Sequence, residues 1–248
     1  MKANVAVIIP TLARRKELLI AAIESAISCR VGMILVISPS NAPDWLPKSF
    51  SGSLSWVTFS GGLVESLNHA ARLVPHSFEF LTWLGDDDLL DPKGYRELRT
   101  IPDADLIIGS CGYMTESGDL VRVQRVHKWR VQAWTLALVA SPIAQPATIF
   151  RRSLFESLGG LDTKYQYAFD QDFFTRAIVG GAKLKIVGNQ LAFYRVHEDT
   201  LSSTNWEKSL MESANVREMN SPTQIAPFAR WVDKIRHLLV TRFRAAGF

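Results

Sequence analysis

Cysteine is scarce in this chain: Cys29 and Cys111 are the only two among 248 residues. They lack the paired spacing of a metal site and cannot build a disulfide framework. We read them as reduced, buried thiols in a cytoplasmic protein. No run reaches the roughly 18 apolar residues that a membrane span needs. The apolar part of the opening MKANVAVIIP is also too short for a secretory leader. A glycine-rich phosphate loop with its lysine is missing, since SGGLVES lacks the pattern. Internal repeats and low-complexity segments are absent as well. So is any spread-out charge surplus. The net charge is +4, and from Arg230 onward five bases stand against the single acid Asp233, 5 − 1 = +4, leaving a neutral body. That distribution argues against general nucleic-acid binding and for a local partner of the tail.

What is present is an ordinary globular composition, 47% hydrophobic and 21% charged, which excludes a disordered chain. VAVIIP (5–10), MILVIS (33–38), SWVTF (55–59) and FEFLTWL (78–84) read as buried strands. Between them, RKELLIAAIESAIS places Leu19, Ile23, Ala26 and Ile27 at helical spacing, and LVESLNHAARL (63–73) forms a second helix. Strands alternating with helices of this length predict a mainly parallel sheet covered on both sides. After residue 105 the pattern changes. DLIIGSCGYM and LVRVQRV flank the turn signal ESGD and predict an antiparallel hairpin. A short helix (VQAWTLALVA), ATIF, two glycine-stopped helices (SLFESLGGLD and DQDFFTRAIVGG) and the strands KLKIVG and LAFYRV follow. Residues 206–248 read as helical and peripheral.

FLTWLGDDDLLDP (80–92) sends a buried strand straight into Asp86, Asp87 and Asp88. Adjacent carboxylates repel by about 3 kcal/mol per pair at ~6 Å and an effective dielectric near 20. One reading is a solvated loop whose acid caps the helix starting near Pro92. The other is a site at the carboxyl end of a parallel strand, where ligands bind in such sheets. There a divalent cation offsets the repulsion, and carboxylates with phosphate oxygens suit Mg2+ or Mn2+. Two further pieces stand out. Asp170 falls in the first turn of a helix, where the dipole favours its charge, though an N-cap serves equally. Asp172 and Arg176 are spaced as an ordinary helix-surface pair. Arg195 and His197 leave a strand, a place where a lone histidine is more often structural.

In order and spacing these pieces resemble family 2 glycosyltransferases of the GT-A fold, over roughly residues 4–203. The resemblance rests on VIIPTLARR, GLVESLNHAA, WLGDDDLLDP, QPATIFRRSLFESLGGLD, FDQDFFTRAIVGGAKLKIV and YRVHEDTLS. It implies an α/β fold of the GT-A type, a Rossmann-like, mainly parallel central sheet flanked by helices. The catalytic domain would span 1–205 and a C-terminal helical extension 206–248. It implies an inverting enzyme that moves a sugar from a nucleotide-diphosphate sugar donor to a saccharide or lipid-linked acceptor, with no nucleic-acid partner. Pro10, Thr11, Arg14, Ser38, Asn68, Asp86 and Asp87 would face the donor. Asp87, Asp88 and His197 would hold Mn2+ or Mg2+. Asp170 would be the general base, and Gln145 and Arg195 would meet the acceptor or the leaving diphosphate. The chain departs from the pattern at Ser38, where an acid usually holds the nucleobase, at Gly85, and at Phe169 in place of a common glutamate.

Two other function classes remain open at this level. One is a metal-dependent nucleotidyltransferase, and the other is a non-catalytic member of the same fold that scaffolds a membrane assembly. The basic hairpin RVQRVHKWR is either an acceptor-selecting segment or a charged, solvated edge. In the tail, Phe228, Trp231, Val232, Ile235, Leu238, Leu239 and Phe243 follow helical spacing. Either this stripe packs on the domain, or residues 224–248 lie as a peripheral helix on the inner face of a membrane.

Overall fold

The computed structural model describes residues 3–50, 52–98, 103–138, 141–197, 205–221, 227–229 and 231–236. Strand β1 (Ala3–Pro10) is apolar on both faces because each face meets its own core. Ala6 and Ile8 enter one cluster, Val5, Val7 and Ile9 the other. Helix α1 (Lys16–Ser28) covers the second side with Leu19, Ala22, Ile23 and Ala26. The chain returns as β2 (Val31–Ser38), parallel to β1, and continues into β3 (Ser55–Thr58), parallel to β2. Although read as buried, β3 is only half covered, because it forms the edge of the sheet. Helix α2 (Leu63–Leu73) crosses the first side, burying Val64, Leu67, Ala70 and Ala71. It leads to β4 (Phe80–Trp83), parallel to β1 on its other flank. The resulting order β3-β2-β1-β4 sets the carboxyl ends of β1 and β4 side by side. The Leu84 amide donates to the Ile8 carbonyl at 2.9 Å.

The second half folds on the same sheet. A two-residue β5 (Leu89–Leu90) precedes α3 (Pro92–Glu97), which is capped by Asp91 accepting from the Lys93 amide. β6 (Leu106–Met114) and β7 (Leu120–Gln124) form the expected antiparallel hairpin. α4 (Ala133–Leu138), β8 (Thr148–Arg151) and α5 (Arg152–Ser157) follow, then α6 (Phe169–Val179) and β9 (Leu184–Arg195). The last long helix is α7 (Trp206–Asn220). β8 runs antiparallel between β4 and β6, while β6 and β9 run parallel. KLKIVG and LAFYRV, read as two strands, are one: β9 continues through Gly188 and absorbs the irregularity by slipping register opposite Ser110. β5 pairs antiparallel with the end of β9, Leu89 opposite Phe193. That pairing carries Arg195 and His197 to the acidic triplet.

Two glycines terminate α5 in left-handed conformation, Gly159 at φ 73° and Gly160 at φ 79°. Aromatic rings fill the space between α5, α6 and the sheet. Trp83 stacks on Phe174 at 6.1 Å and meets Phe173 edge-on at 6.0 Å. α7 packs against α6 and α4, and its Val216 is fully buried in the first core.

Candidate active site

The loop after β1 and the loop after β4 meet at three carboxylates, and each carboxylate takes a different partner. Asp86 Oδ2 accepts from the Thr11 hydroxyl at 2.5 Å. Thr11 Oγ1 in turn accepts from the Ala13 amide at 2.8 Å, which fixes a turn that places Ala13 at φ 54°. Asp87 Oδ2 lies 2.7 Å from His197 Nε2 and 3.5 Å from Arg15 Nη1, and Arg15 Nη1 is 2.8 Å from that same imidazole nitrogen. Asp88 turns inward and accepts from the Arg195 amide at 2.8 Å. The repulsion expected among the three is thus reduced by divergence but still acts on Asp86 and Asp88. Gly85 makes the divergence possible, since a Cβ there would stand 2.9 Å from both Asp87 Oδ1 and Asp88 Oδ2. Burial raises the Asp86 carboxyl above its ordinary range, against the lowering hydrogen bond from Thr11. Burial raises Asp88 much further, helped by the adjacent Asp87 charge.

Several expected site residues sit elsewhere or do other work. Arg14 is exposed, and its neighbour Arg15 is the arginine that reaches Asp87. The doubled arginine in TLARR was the available signal, but sequence spacing does not say which of two adjacent side chains turns inward. Asn68 does not face the triplet loop. Its amide closes a two-way bond with the Leu161 backbone, Nδ2 to the carbonyl at 2.8 Å and Oδ1 from the amide at 2.9 Å. It therefore ties α2 to the glycine turn, and a Cβ on Gly160 would meet its oxygen at 2.7 Å. Arg195 is buried, with its guanidinium donating to the carbonyls of Asp87, Thr115 and Glu116. It locks the triplet loop to the hairpin turn. Gln145 donates to the Trp83 carbonyl, holding the end of β4. Pro10 closes β1 opposite Ile37, and Ser38 is buried at the end of β2, its hydroxyl accepting from the Ser40 amide at 3.3 Å.

Asp170 occupies the first turn of α6, half-buried, with Oδ1 accepting from the Gln171 amide at 2.7 Å. Its predecessor Phe169 sets its ring 6.4 Å from that of Trp83, which is three residues before Asp86. The start of α6 is thereby seated at the carboxyl end of β4. Burial pushes the Asp170 carboxyl up to about 6, only partly countered by the backbone amides around it. A carboxylate so placed is a near-neutral base, stronger than an unperturbed aspartate with its pKa near 3.9. Asp172, expected on the helix surface, is instead 2% exposed. It binds Arg176 Nε at 2.7 Å, and the same guanidinium donates to the carbonyls of Leu158 and Gly160. This pair is a buried brace between α6 and the glycine turn.

Mn2+ or Mg2+, which the resemblance implies, needs oxygen or nitrogen donors that converge. Asp87 and His197 converge, whereas Asp88 is committed to the Arg195 amide and leaves the expected trio. Among the described residues no three His, Cys, Asp or Glu side chains are grouped to hold a metal. Mg2+-type cations commonly take one or two protein ligands and complete their shell with substrate phosphates and water. Asp87 and His197 are thus the two candidate donors left among the described residues, short of a closed protein cage.

No protein-family model matches the chain, and no curated protein matches it in sequence. Solved structures do match in shape. Residues 1–349 of S. aureus TarS, crystallised in complex with UDP, align over 89% of this chain with a TM-score of 0.57 at 16% identity. A second S. aureus TarS structure aligns over 94% with a TM-score of 0.58 at 15% identity. The chain spans 65% and 42% of those two chains, so it corresponds to part of a longer protein in each. At this identity the likeness is one of fold. A mixed α/β molecule with a curled, mostly parallel sheet between helices has the architecture of the GT-A glycosyltransferases.

Proposed function

We propose that this chain is an inverting glycosyltransferase that uses a nucleoside-diphosphate sugar. The observation that carries the reading is the pairing of two unlike acids at one end of the sheet. Asp87 meets Arg15 and His197, a polar cluster suited to a diphosphate and its counter-ion. Asp170, at the adjoining helix start, is poised near neutrality. The UDP held by TarS residues 1–349 supports a nucleotide donor of this class.

Asp170 takes the proton of an acceptor hydroxyl as its oxygen bonds to the anomeric carbon. The bond from that carbon to the diphosphate oxygen breaks in the same displacement, which inverts the centre. Arg15 supplies positive charge beside Asp87 for the leaving diphosphate. A bound Mn2+ or Mg2+ would stabilise the charge developing on the leaving group. Asp87 and His197 are the residues that would hold it. Acceptor hydroxyls on a saccharide or a lipid-linked glycan, in cell-surface polysaccharide or glycolipid assembly at the cytoplasmic face, suit such a site. A nucleotidyltransferase would also use clustered acids and a base for its attacking hydroxyl; the likeness in shape to UDP-bound TarS favours the sugar-transfer reading. A purely scaffolding protein has no call for a near-neutral base.

The test is a thermal-shift screen of nucleotides and nucleotide sugars with and without Mn2+, followed by product analysis. Native-state ligands raise the melting temperature. UDP or a related diphosphate should stabilise the wild type more with the cation than without. Asp87→Asn should lose that cation-dependent increment and the transfer activity while keeping its fold. An Asp87→Asn variant with wild-type turnover, or a chelator without effect, refutes the metal assignment.

A further inference from the structure

The helical residues 227–229 and 231–236 turn the opposite face inward from the one an amphipathic tail would bury. Ala229 is fully buried. Asp233 accepts from Arg217 Nε at 2.9 and 3.0 Å, and Arg236 donates both to Asp233 and to the Leu138 carbonyl. Positions 229, 233 and 236 repeat at helical spacing and form a small, ion-paired inner face. Phe228, Trp231 and Ile235 follow the same spacing on the outside, 54%, 57% and 36% exposed, and the rings of Phe228 and Trp231 stack at 5.8 Å. Of the described stripe, Phe228, Trp231 and Ile235 are exposed and Val232 is partly covered. Residues 237–248, with Leu238, Leu239 and Phe243, lie outside the described residues.

The neighbouring elements continue this character. The Leu138 carbonyl that anchors Arg236 ends α4, and Trp134, one turn earlier, is exposed. Thr135 of α4 donates to the carbonyl of Trp129, which is 61% exposed. From β7 to β8 the charge has one sign, while on α7 Glu218, beside Arg217, is an exposed acid. No Asp or Glu occurs from Leu120 to Phe155, while Arg122, Arg125 and Lys128 are exposed, as is Lys234 on the tail helix.

We propose that the tail helix, together with Trp129 and Trp134, docks the protein on an anionic lipid surface. Tryptophan and phenylalanine rings enter the headgroup layer, and the exposed bases meet lipid phosphates. Charge decides between the available occupants. A second copy would bring two equally basic surfaces together across a two-fold interface. A negatively charged sheet is the partner that this surplus of exposed bases complements. No helix among the described residues is long and apolar enough to cross a membrane, so the contact is made from one side.

The proposal is independent of the transfer reaction and is tested without substrate. Purified full chain is pelleted with phosphatidylglycerol-containing vesicles and with pure phosphatidylcholine vesicles, at low and high salt. Binding should be confined to the anionic vesicles and released by salt. Phe228→Ala with Trp231→Ala, and separately Trp129→Ala with Trp134→Ala, should each weaken it about tenfold or more. These side chains are exposed, so both variants should melt with the wild type, and a melting curve confirms it. No pelleting, equal pelleting with neutral vesicles, or wild-type binding by both double variants overturns the proposal. So does a dimer in sedimentation velocity that Phe228→Ala with Trp231→Ala dissociates.

Discussion

Asp170→Asn should cost the enzyme its turnover and make the folded chain more stable, both for one reason. The carboxyl is held at about 6 by burial, against an ordinary 3.8. Keeping it ionised above that range costs folding about 3 kcal/mol, at about 1.4 kcal/mol per pH unit. The sign follows from linkage. Where the folded value lies above the unfolded one, stability is greatest at low pH and falls as pH rises through the folded value. The cost is therefore absent near pH 3.8 and complete well above 6. Asparagine keeps the acceptor oxygen for the Gln171 amide and never ionises. The variant should thus gain up to about 3 kcal/mol at pH 8 and almost nothing at pH 4, read by urea unfolding at both. Turnover with saturating donor should drop by about 10²-fold or more, with donor affinity little changed. In the wild type, turnover should fall tenfold per pH unit on the acid side of a midpoint near 6. An acid limb centred at ordinary carboxylate values, or a variant no more stable at pH 8, refutes the reasoning.

Arg15→Ala should weaken binding of UDP with Mn2+ by calorimetry, whereas Arg14→Ala should leave it unchanged; equal effects would return the role to Arg14. Arg176→Ala leaves Asp172 charged and buried and strips the Leu158 and Gly160 carbonyls of their donor. It should destabilise by about 3–5 kcal/mol in urea, and loss under about 1 kcal/mol would mean the brace is dispensable. Gly94→Ala would drive a Cβ into the Gln190 carbonyl oxygen, forcing α3 away from β9. It should lower the melting temperature more than Gly160→Ala, which meets left-handed backbone at φ 79° and the Asn68 amide oxygen at 2.7 Å, not a strand carbonyl.

The parallel half of the sheet was legible because its periodicity is unambiguous. α2 spans the predicted 63–73, and β1 alternates between two cores as a strand buried on both faces must. What escaped was whatever depends on distant backbone. Nothing local says that Asn68 will find the Leu161 peptide group, or that Arg195 will spend its guanidinium on three carbonyls. The spacing of Asp172 and Arg176 reads the same on an exposed helix as on one pressed against the glycine turn. Gly188 looked like a strand break because register slippage opposite Ser110 leaves no mark in sequence. In the tail, hydrophobic spacing correctly gave the helix but not the side that faces inward, since Ala229 and an ion pair took that place.

One carboxylate in α7 ties these parts together. Glu212 Oε2 accepts from the amides of Gln166, Tyr167 and Ala168 at 3.0, 2.7 and 2.9 Å. Three converging N–H groups ahead of a helix make a cradle for an anion, and here the chain fills it with its own side chain. The loop that delivers Asp170 is therefore shaped from the far side by a residue some forty positions later in the chain. Trimming the protein at residue 205 to obtain a minimal catalytic core would empty that cradle. A shortened chain could keep every residue of the proposed chemistry and still lose the angle at which its base is presented. Recombining this core with a foreign tail would succeed only where the incoming helix brings an acid to the same spot.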